Sequence, residues 1–221
     1  MDWSLPLNLS TQGVVIDRLF WIIAVLTGVA FILVEAGIIW FSIKYRRRDG
    51  QKAHYTHGSK KAEIIWTAVP AVILAVLGIY SGGVWADIRG ASALPQDALT
   101  FNVVAKQFEW NITYPGSDGR IDTADDFVVR NQFHFPANEP VIVRLESEDV
   151  IHSFFVPELR VKQDAVPGMT IPIWFEATGT GEYQIACAEL CGLGHYSMDA
   201  QVVIHDRADF DAWSAGQAAG N

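Results

Sequence analysis

C-A-E-L-C-G-L-G-H-Y-S-M, residues 187–198, is the stretch from which the rest of this chain is read. It holds the chain's only two cysteines, Cys187 and Cys191, together with Glu189, His195 and Met198. Thiolate, imidazole and thioether form a soft donor set that suits copper. A carboxylate between the thiols adds a hard oxygen for a different ion. Cys187 and Cys191 lie four apart, His195 four further on and Met198 three beyond, so a compact loop can aim every donor at one centre. A second imidazole is the natural completion, and His152 in D-V-I-H-S-F-F is the best placed by context. Three plainer readings compete. Two cysteines outside the cytosol can form a structural disulfide. They can hold zinc, although structural zinc rarely uses methionine. A mononuclear blue-copper site needs one Cys, two His and an axial Met, and leaves the second thiol over.

Working outward, apolar residues concentrate at the front of the chain. Half of the 221 residues are hydrophobic and the mean hydropathy is +0.18. Leu19–Tyr45 is almost uncharged and Ile64–Trp85 wholly so. Each run exceeds the roughly 20 residues that cross a bilayer as a helix. The segment before the first run has no basic n-region, and no convincing cleavage site follows it, so the run reads as a retained anchor. Between the runs lie Lys44, Arg46, Arg47, Arg48, Lys52, Lys60 and Lys61 against Asp49 and Glu63. Such basic loops stay in the cytoplasm. Both the N-terminus and everything after Trp85 then lie outside, in a bacterial periplasm or a mitochondrial intermembrane space. Charge divides in the same place. Residues 1–85 carry eight Lys and Arg against five Asp and Glu, a net +3; residues 86–221 carry eight against twenty, a net −12. An acidic external part attracts a basic partner and repels nucleic acid.

The expected organisation is an external N-terminal segment (1–18), a membrane helix (19–45), a cytoplasmic loop (46–62), a second membrane helix (63–86), a linker (87–98), a β domain (99–206) and a C-terminal helix and tail (207–221). Within the β domain, 99–105, 108–114, 127–135, 141–146, 170–177, 183–187 and 201–205 read as strands. Short strands separated by turn signals such as Pro115-Gly116 and Pro167-Gly168 indicate a sandwich or barrel. Residues 206–215 read as a terminal helix. The acidic insertion 116–126 offers Asp118, Asp122, Asp125 and Asp126 as hard oxygens for calcium. Its spacing is not that of an EF-hand, and an acidic hairpin tip is the plainer reading. Glu35 lies inside the first span, where a carboxylate needs a protein or water partner. His54, His57, His134 and His205 have no ligand-like context. No C-x-x-C-H occurs, so the chain carries no fused haem c motif.

The pattern C-x-E-x-C-G-x-x-H-x-x-M, with S-E-D-V-I-H-S-F-F-V-P, D-A-V-P-G and both apolar spans, resembles subunit II of the haem–copper cytochrome c oxidases. The resemblance covers nearly the whole chain. It implies a two-helix transmembrane hairpin followed by an all-β, cupredoxin-like Greek-key sandwich. It implies a dinuclear copper centre, CuA, held by His152, Cys187, Cys191, His195, Met198 and the carbonyl of Glu189. The Glu189 side chain would reach magnesium at the boundary with subunit I. Glu63, in A-E-I-I-W-T-A-V-P-A, matches a glutamate at the mouth of a proton-uptake channel; a solvated helix-start carboxylate is the alternative. Many relatives show Gln-Trp-x-Trp where this chain has Gln107-Phe108-Glu109-Trp110, which puts the surface electron route through Phe108 and Trp110 in question. Glu148 and Asp149, close to His152, are the candidate contacts for a cationic donor such as cytochrome c. Subunits I and III and membrane lipid are the implied partners. Electrons would pass from the copper centre to the haems of subunit I, where oxygen is reduced with coupled proton translocation. A quinol-oxidase subunit II would lack the copper ligands. A membrane-anchored copper carrier or assembly factor, or an oxidase subunit fed by another donor within a larger assembly, are the other readings.

Overall fold

The computed structural model describes residues 5–52, 54–90 and 92–218. Parts of four expected segments, at residues 1–4, 53, 91 and 219–221, lie outside these. Two long helices come first, α1 (Gly13–Lys44) and α2 (Lys60–Arg89). Both begin before the apolar runs that mark them in the sequence, and α2 also ends beyond its run. α1 starts six residues before the expected 19 because Ser10 opens it: the Ser10 hydroxyl accepts the Gly13 N–H at 3.0 Å. Pro70 sits inside α2. Side chains such as Phe31, Leu33, Ile64 and Leu74 are exposed along both helices. Two such apolar surfaces cannot remain in water, and lipid or partner helices must cover them.

The chain divides into two compact units, residues 17–85 and residues 1–16 with 86–221. The second unit is a β-sandwich. One sheet has the order β3 (Phe127–Arg130), β2 (Glu109–Tyr114), β1 (Leu99–Lys106), β5 (Pro140–Ser147), β8 (Ile171–Glu176). The other runs β4 (Gln132–Pro136), β10 (Asp199–His205), β9 (Gly181–Cys187), β6 (His152–Val156), β7 (Val161–Ala165). Pairing is antiparallel except β1 with β5 and β4 with β10. Successive strands repeatedly change sheet, which gives the cupredoxin-like Greek-key sandwich expected. α3 (Arg207–Ala218) closes the domain and runs three residues past the expected 215.

Alternation builds the core. β5 buries every second residue, Val141, Val143 and Leu145 facing inward. The centre is aromatic: Phe101, Trp110, Phe133, Phe135, Phe154 and Phe175 are wholly buried, packed mostly edge to face. Residues 127–135, read as one strand, are two strands in different sheets. Asn131 stands between them with φ of 54° and bonds Trp110 on both sides: its N–H donates to the Trp110 carbonyl at 2.8 Å, and its side-chain oxygen accepts the Trp110 N–H at 2.7 Å. β6 carries no alternating pattern, because it is buried at four of five positions, and β7 (V-K-Q-D-A) alternates in burial while presenting only two apolar residues. The strand expected at 108 begins instead at Glu109.

The first described residues belong to this unit. Leu9 pairs with Glu158 and Thr178 through the backbone, and the Ser10 hydroxyl donates to the Leu159 carbonyl at 2.7 Å. At the end of α2, the Trp174 indole donates to the Ile88 carbonyl at 2.9 Å.

Candidate metal centre

Two neighbouring strands and one loop build the site. His152 opens β6 and Cys187 closes β9, and these strands pair through Phe154 and Cys187. The loop 188–198 leads on to β10. Its base is tied by the Cys187 N–H to the Met198 carbonyl at 3.1 Å, and by the Ala188 N–H to the Ser153 carbonyl at 3.0 Å. A 3-10 turn, His195–Ser197, brings His195 and Met198 back over the thiols.

The donor atoms converge. Cys187 Sγ lies 3.8 Å from Cys191 Sγ, 4.0 Å from His152 Nδ1 and 3.3 Å from the Glu189 carbonyl oxygen. Cys191 Sγ lies 3.7 Å from His195 Nδ1 and 3.7 Å from Met198 Sδ. At 3.8 Å the sulfurs are not bonded, and both cysteines are free thiols. Burial, and next the neighbouring Cys187, push the Cys191 thiol up to about 11. It is protonated at neutral pH until a metal displaces the proton. His152, Cys191 and Met198 are buried, while Glu189 turns its side chain to solvent.

The six donors therefore fit copper, two thiols being available to bridge two ions. Zinc would not use the buried thioether, and a blue-copper site would leave one thiol idle.

A layer behind the donors escaped the sequence reading. His152 Nε2 is 2.8 Å from Asp149 Oδ1, and Asp149 Oδ2 accepts the Gln107 N–H at 2.8 Å. Asp149, expected only as a donor contact, therefore also turns the His152 ring so that Nδ1 faces the thiols. Its i, i+3 spacing to His152 was the available signal. Desolvation alone would raise the Asp149 pKa, but hydrogen bonds from His152, Gln107 and Val150 together bring it below the usual carboxylate value. The Gln107 side-chain amide donates to the Cys191 carbonyl at 2.5 Å. Phe108 lies against the loop: a Cβ built on Gly194 would meet its ring at 2.5 Å, and one on Gly192 would meet the Gln107 amide at 2.7 Å. Both glycines in C-G-L-G-H thus admit this close approach. Trp110 is wholly buried, its ring centre 6.3 Å from that of His152. Of the two aromatic residues singled out for electron transfer, only Phe108 reaches the loop face. Glu148 is exposed.

Leu190, Leu193 and Tyr196 on the loop are strongly exposed, with Ile151 beside His152. Glu63 lies in the first turn of α2 and Glu35 mid-way along α1, both exposed in the single chain.

The carboxylates of 116–126 are engaged by their own loop. Asp125 accepts the Thr123 and Ser117 hydroxyls, which with backbone donors bring it down to about 2 against a small opposing desolvation. Asp126 accepts the Asp122 and Thr123 N–H groups. Asp118 accepts the Arg120 N–H, and Asp122 pairs with Arg144 at 2.8 Å. These contacts tie the insertion together as an acidic loop.

His134 and His205, given no role from sequence, share a ring-to-ring hydrogen bond of 2.8 Å. Trp213 of α3 stacks on His134 with ring centres 3.9 Å apart.

Two apolar helices, a cupredoxin-like sandwich and a two-thiol donor set define a membrane-anchored copper protein. Known proteins agree. Residues 100–205 match the family model for the periplasmic domain of cytochrome c oxidase subunit II, and residues 5–84 the model for its transmembrane domain. The chain is 31% identical to cytochrome c oxidase subunit 2 of Thermostichus vulcanus, over 95% of this chain and 77% of that one. It is 32% identical to the alternative cytochrome c oxidase subunit 2 of Bradyrhizobium diazoefficiens, over 90% and 77%. Among solved structures, the periplasmic domain of subunit II from Bradyrhizobium japonicum superposes with a TM-score of 0.51 at 29% identity, covering 57% of this chain and 98% of that one. The chain belongs to the cytochrome c oxidase subunit II family. It is a subunit of a membrane-bound oxidoreductase complex with a CuA-type copper site, and its copper domain lies outside the cytoplasm.

Proposed function

We propose that this chain is the electron-accepting subunit of a terminal oxidase, and that His152, Cys187, Cys191, His195, Met198 and the Glu189 carbonyl hold its copper pair. The convergence of these donors, every neighbouring distance 4.0 Å or less, carries the reading. A dinuclear copper pair bound there supplies one-electron acceptance and release. The chain's own residues do the rest. Cys187 and Cys191 would hold the metal through their sulfurs, giving up their protons on loading. Asp149 fixes the His152 tautomer and ring plane. The aromatic core beneath, with Trp110 and Phe154, keeps water away and makes the ligand set stiff, which limits rearrangement on electron transfer.

Phe108, packed on the loop, is the surface aromatic through which an external donor reaches the centre. Glu148 and the wider acidic surface attract a basic donor such as cytochrome c. The Glu189 side chain, turned away from the thiols, is free to meet magnesium at a boundary with the haem-bearing subunit I. Glu63 collects protons at the cytoplasmic start of α2 for that subunit. Subunit III is the further expected neighbour. The residues between α1 and α2 serve as the cytoplasmic loop, and those between α2 and β1 as the linker.

Copper analysis with EPR tests the assignment. Residues 86–221 loaded with copper should bind two ions per chain and give the many-line signal of one electron shared by two nuclei. One copper with a four-line signal would sink the dinuclear reading. Cys191→Ser should collapse the shared signal, whereas Met198→Leu should keep it and shift the potential, because the thioether is the weakest donor.

A further inference from the structure

The cytoplasmic end of α1 carries an unassigned cationic cleft. Lys44, Tyr45, Arg46, Arg47, Arg48, Gln51, Lys52, His54 and Thr56 line a cavity of about 870 Å³. Five of these nine side chains are permanent cations, and Asp49 is the only acid in the run 44–56. No ion pair joins any of the five to an acid among the described residues. Lys44 instead lies over the Trp40 ring, 4.3 Å from its centre, and 5.4 Å from that of Tyr45. Trp40 lies tilted against Phe41 and Phe41 stacks on Tyr45 at this end of the helix, all three exposed.

Orientation alone does not require this arrangement. Lys60 and Lys61, on the far side of the loop, already add to the cytoplasmic bias. Cations gathered around one cavity repel one another, and a multivalent anion relieves that repulsion. Guanidinium groups favour phosphate, which they bind in a forked, two-bond geometry. The volume is far larger than one phosphate needs and falls in the range of sites that hold a whole small ligand. Immediately above it, the aromatic side chains of α1 mark the level at which a bilayer's headgroups begin.

We infer that this cleft binds the headgroup of an anionic phospholipid of the cytoplasmic leaflet, with Arg46, Arg47 and Arg48 on its phosphate. The acyl chains then lie along Ile38, Ile39 and Phe41, which are exposed on the same end of α1. A bound lipid of this kind would hold the end of the first membrane helix at a fixed depth. The site does not depend on the copper reading, only on the membrane one.

The test uses the complete oxidase complex in nanodiscs of phosphatidylcholine with a minor fraction of phosphatidylglycerol, its retained lipids counted by native mass spectrometry. The parent should keep phosphatidylglycerol in preference to phosphatidylcholine. Arg46→Gln/Arg47→Gln/Arg48→Gln should lose that preference. Each surface cation contributes roughly fivefold, so binding should weaken about a hundredfold. Lys44, Lys52, Lys60 and Lys61 remain in this variant to hold the topology, and copper and haem contents report assembly. The matching triple Lys variant should keep most of the lipid. Equal retention in parent and Gln variant overturns the proposal. So does a parent complex without preference between the two lipids, a result that stands even if the Gln variant fails to assemble. Inorganic pyrophosphate that binds the parent in lipid-free micelles as tightly as phosphatidylglycerol binds in nanodiscs would reassign the cleft to a soluble anion and overturn the membrane source.

Discussion

Acid should loosen the copper domain through His134, well away from the metal. The ring is 7% exposed, hydrogen-bonded to His205 and covered by Trp213. Burial, and then the facing His205, bring its pKa down from 6.5 to about 4. Burial lowers His205 as well, against the pull of Asp209. The sign follows from proton counting. Between these two values the unfolded chain binds a proton that the folded chain refuses, so stability is complete above the unfolded value and falls as pH drops toward 4. For His134 alone the shift corresponds to about 2 kcal/mol lost by pH 5 and about 3 kcal/mol by pH 4. An imidazolium over the Trp213 face is worth about 0.5–1 kcal/mol, but at pH 5 the folded ring is still mostly neutral, so the net expectation there stays at about 1.5–2 kcal/mol.

The groups around the pair are few. His134 N–H donates to the Tyr114 hydroxyl at 2.7 Å, Asp209 faces His205, and Arg207 is held by Glu139 and Asp211. Carboxylates with lowered values, such as Glu109 and Asp125, act only nearer pH 4 and below. Urea melts of residues 86–221 at pH 7 and pH 5 isolate the histidines. His134→Phe keeps a ring on Trp213 and removes the titration. The parent should lose about 1.5–2 kcal/mol between the two pH values and the variant far less, with His152 and His195 cancelling in the difference. Parallel losses, or a His134 value near 6.5 by NMR titration, would refute the argument. The indole of Trp213 reports whether α3 leaves first.

Three other outcomes follow from particular contacts. Phe108→Ala should slow donor-to-copper transfer in stopped-flow mixing while copper content stays constant; Gly194→Ala, whose Cβ would meet the Phe108 ring at 2.5 Å, should reproduce part of that loss by displacing the ring. Glu63→Ala should leave copper reduction at the parent rate and slow the proton-coupled steps of the oxidase, and unchanged kinetics of those steps would end the channel assignment. Asn131→Val should cost about 2–4 kcal/mol in denaturant melts, because a β-branched residue is strained at φ of 54° and the Trp110 N–H loses its acceptor.

The donor set was legible because ligand chemistry is written in residue type and spacing. Cys187, Cys191, His195 and Met198 sit on one short loop, and few structures other than a metal centre explain them together. The membrane helices were legible for a similar reason, since a long uncharged run has one physical outcome. Their ends were not. Ser10 begins α1 through a hydroxyl that also bonds Leu159, 149 residues away, and no local pattern contains that partner. β6 failed in the reading because tertiary burial overrides alternation there, and β7 because only its two end residues are apolar. β6 carries His152 at its first position, yet its continuous burial hides the period-2 signal on which strand reading relies.

The layer behind the ligands shows the same limit at the site itself. Asp149 reads as one more surface carboxylate although His152 stands three residues on; what the sequence hides is the long-range partner, Gln107 of the β1–β2 turn, which holds the other Asp149 oxygen and the Cys191 carbonyl. One short segment, Gln107-Phe108, therefore touches both ends of the ligand set. The Gln107 N–H holds the carboxylate that orients His152, its side chain holds the loop, and Phe108 covers the two glycines. The departure of Phe108 from the family's tryptophan is thus more than a change of surface aromatic. The position is part of the scaffold that keeps Cys191 opposite Cys187, so a donor that docks there presses on the geometry it reduces. Phe108→Trp then separates the two roles: if contact with the donor dominates, transfer should quicken at constant potential, and if packing dominates, the wider ring against Gly192 and Gly194 should move the potential as well.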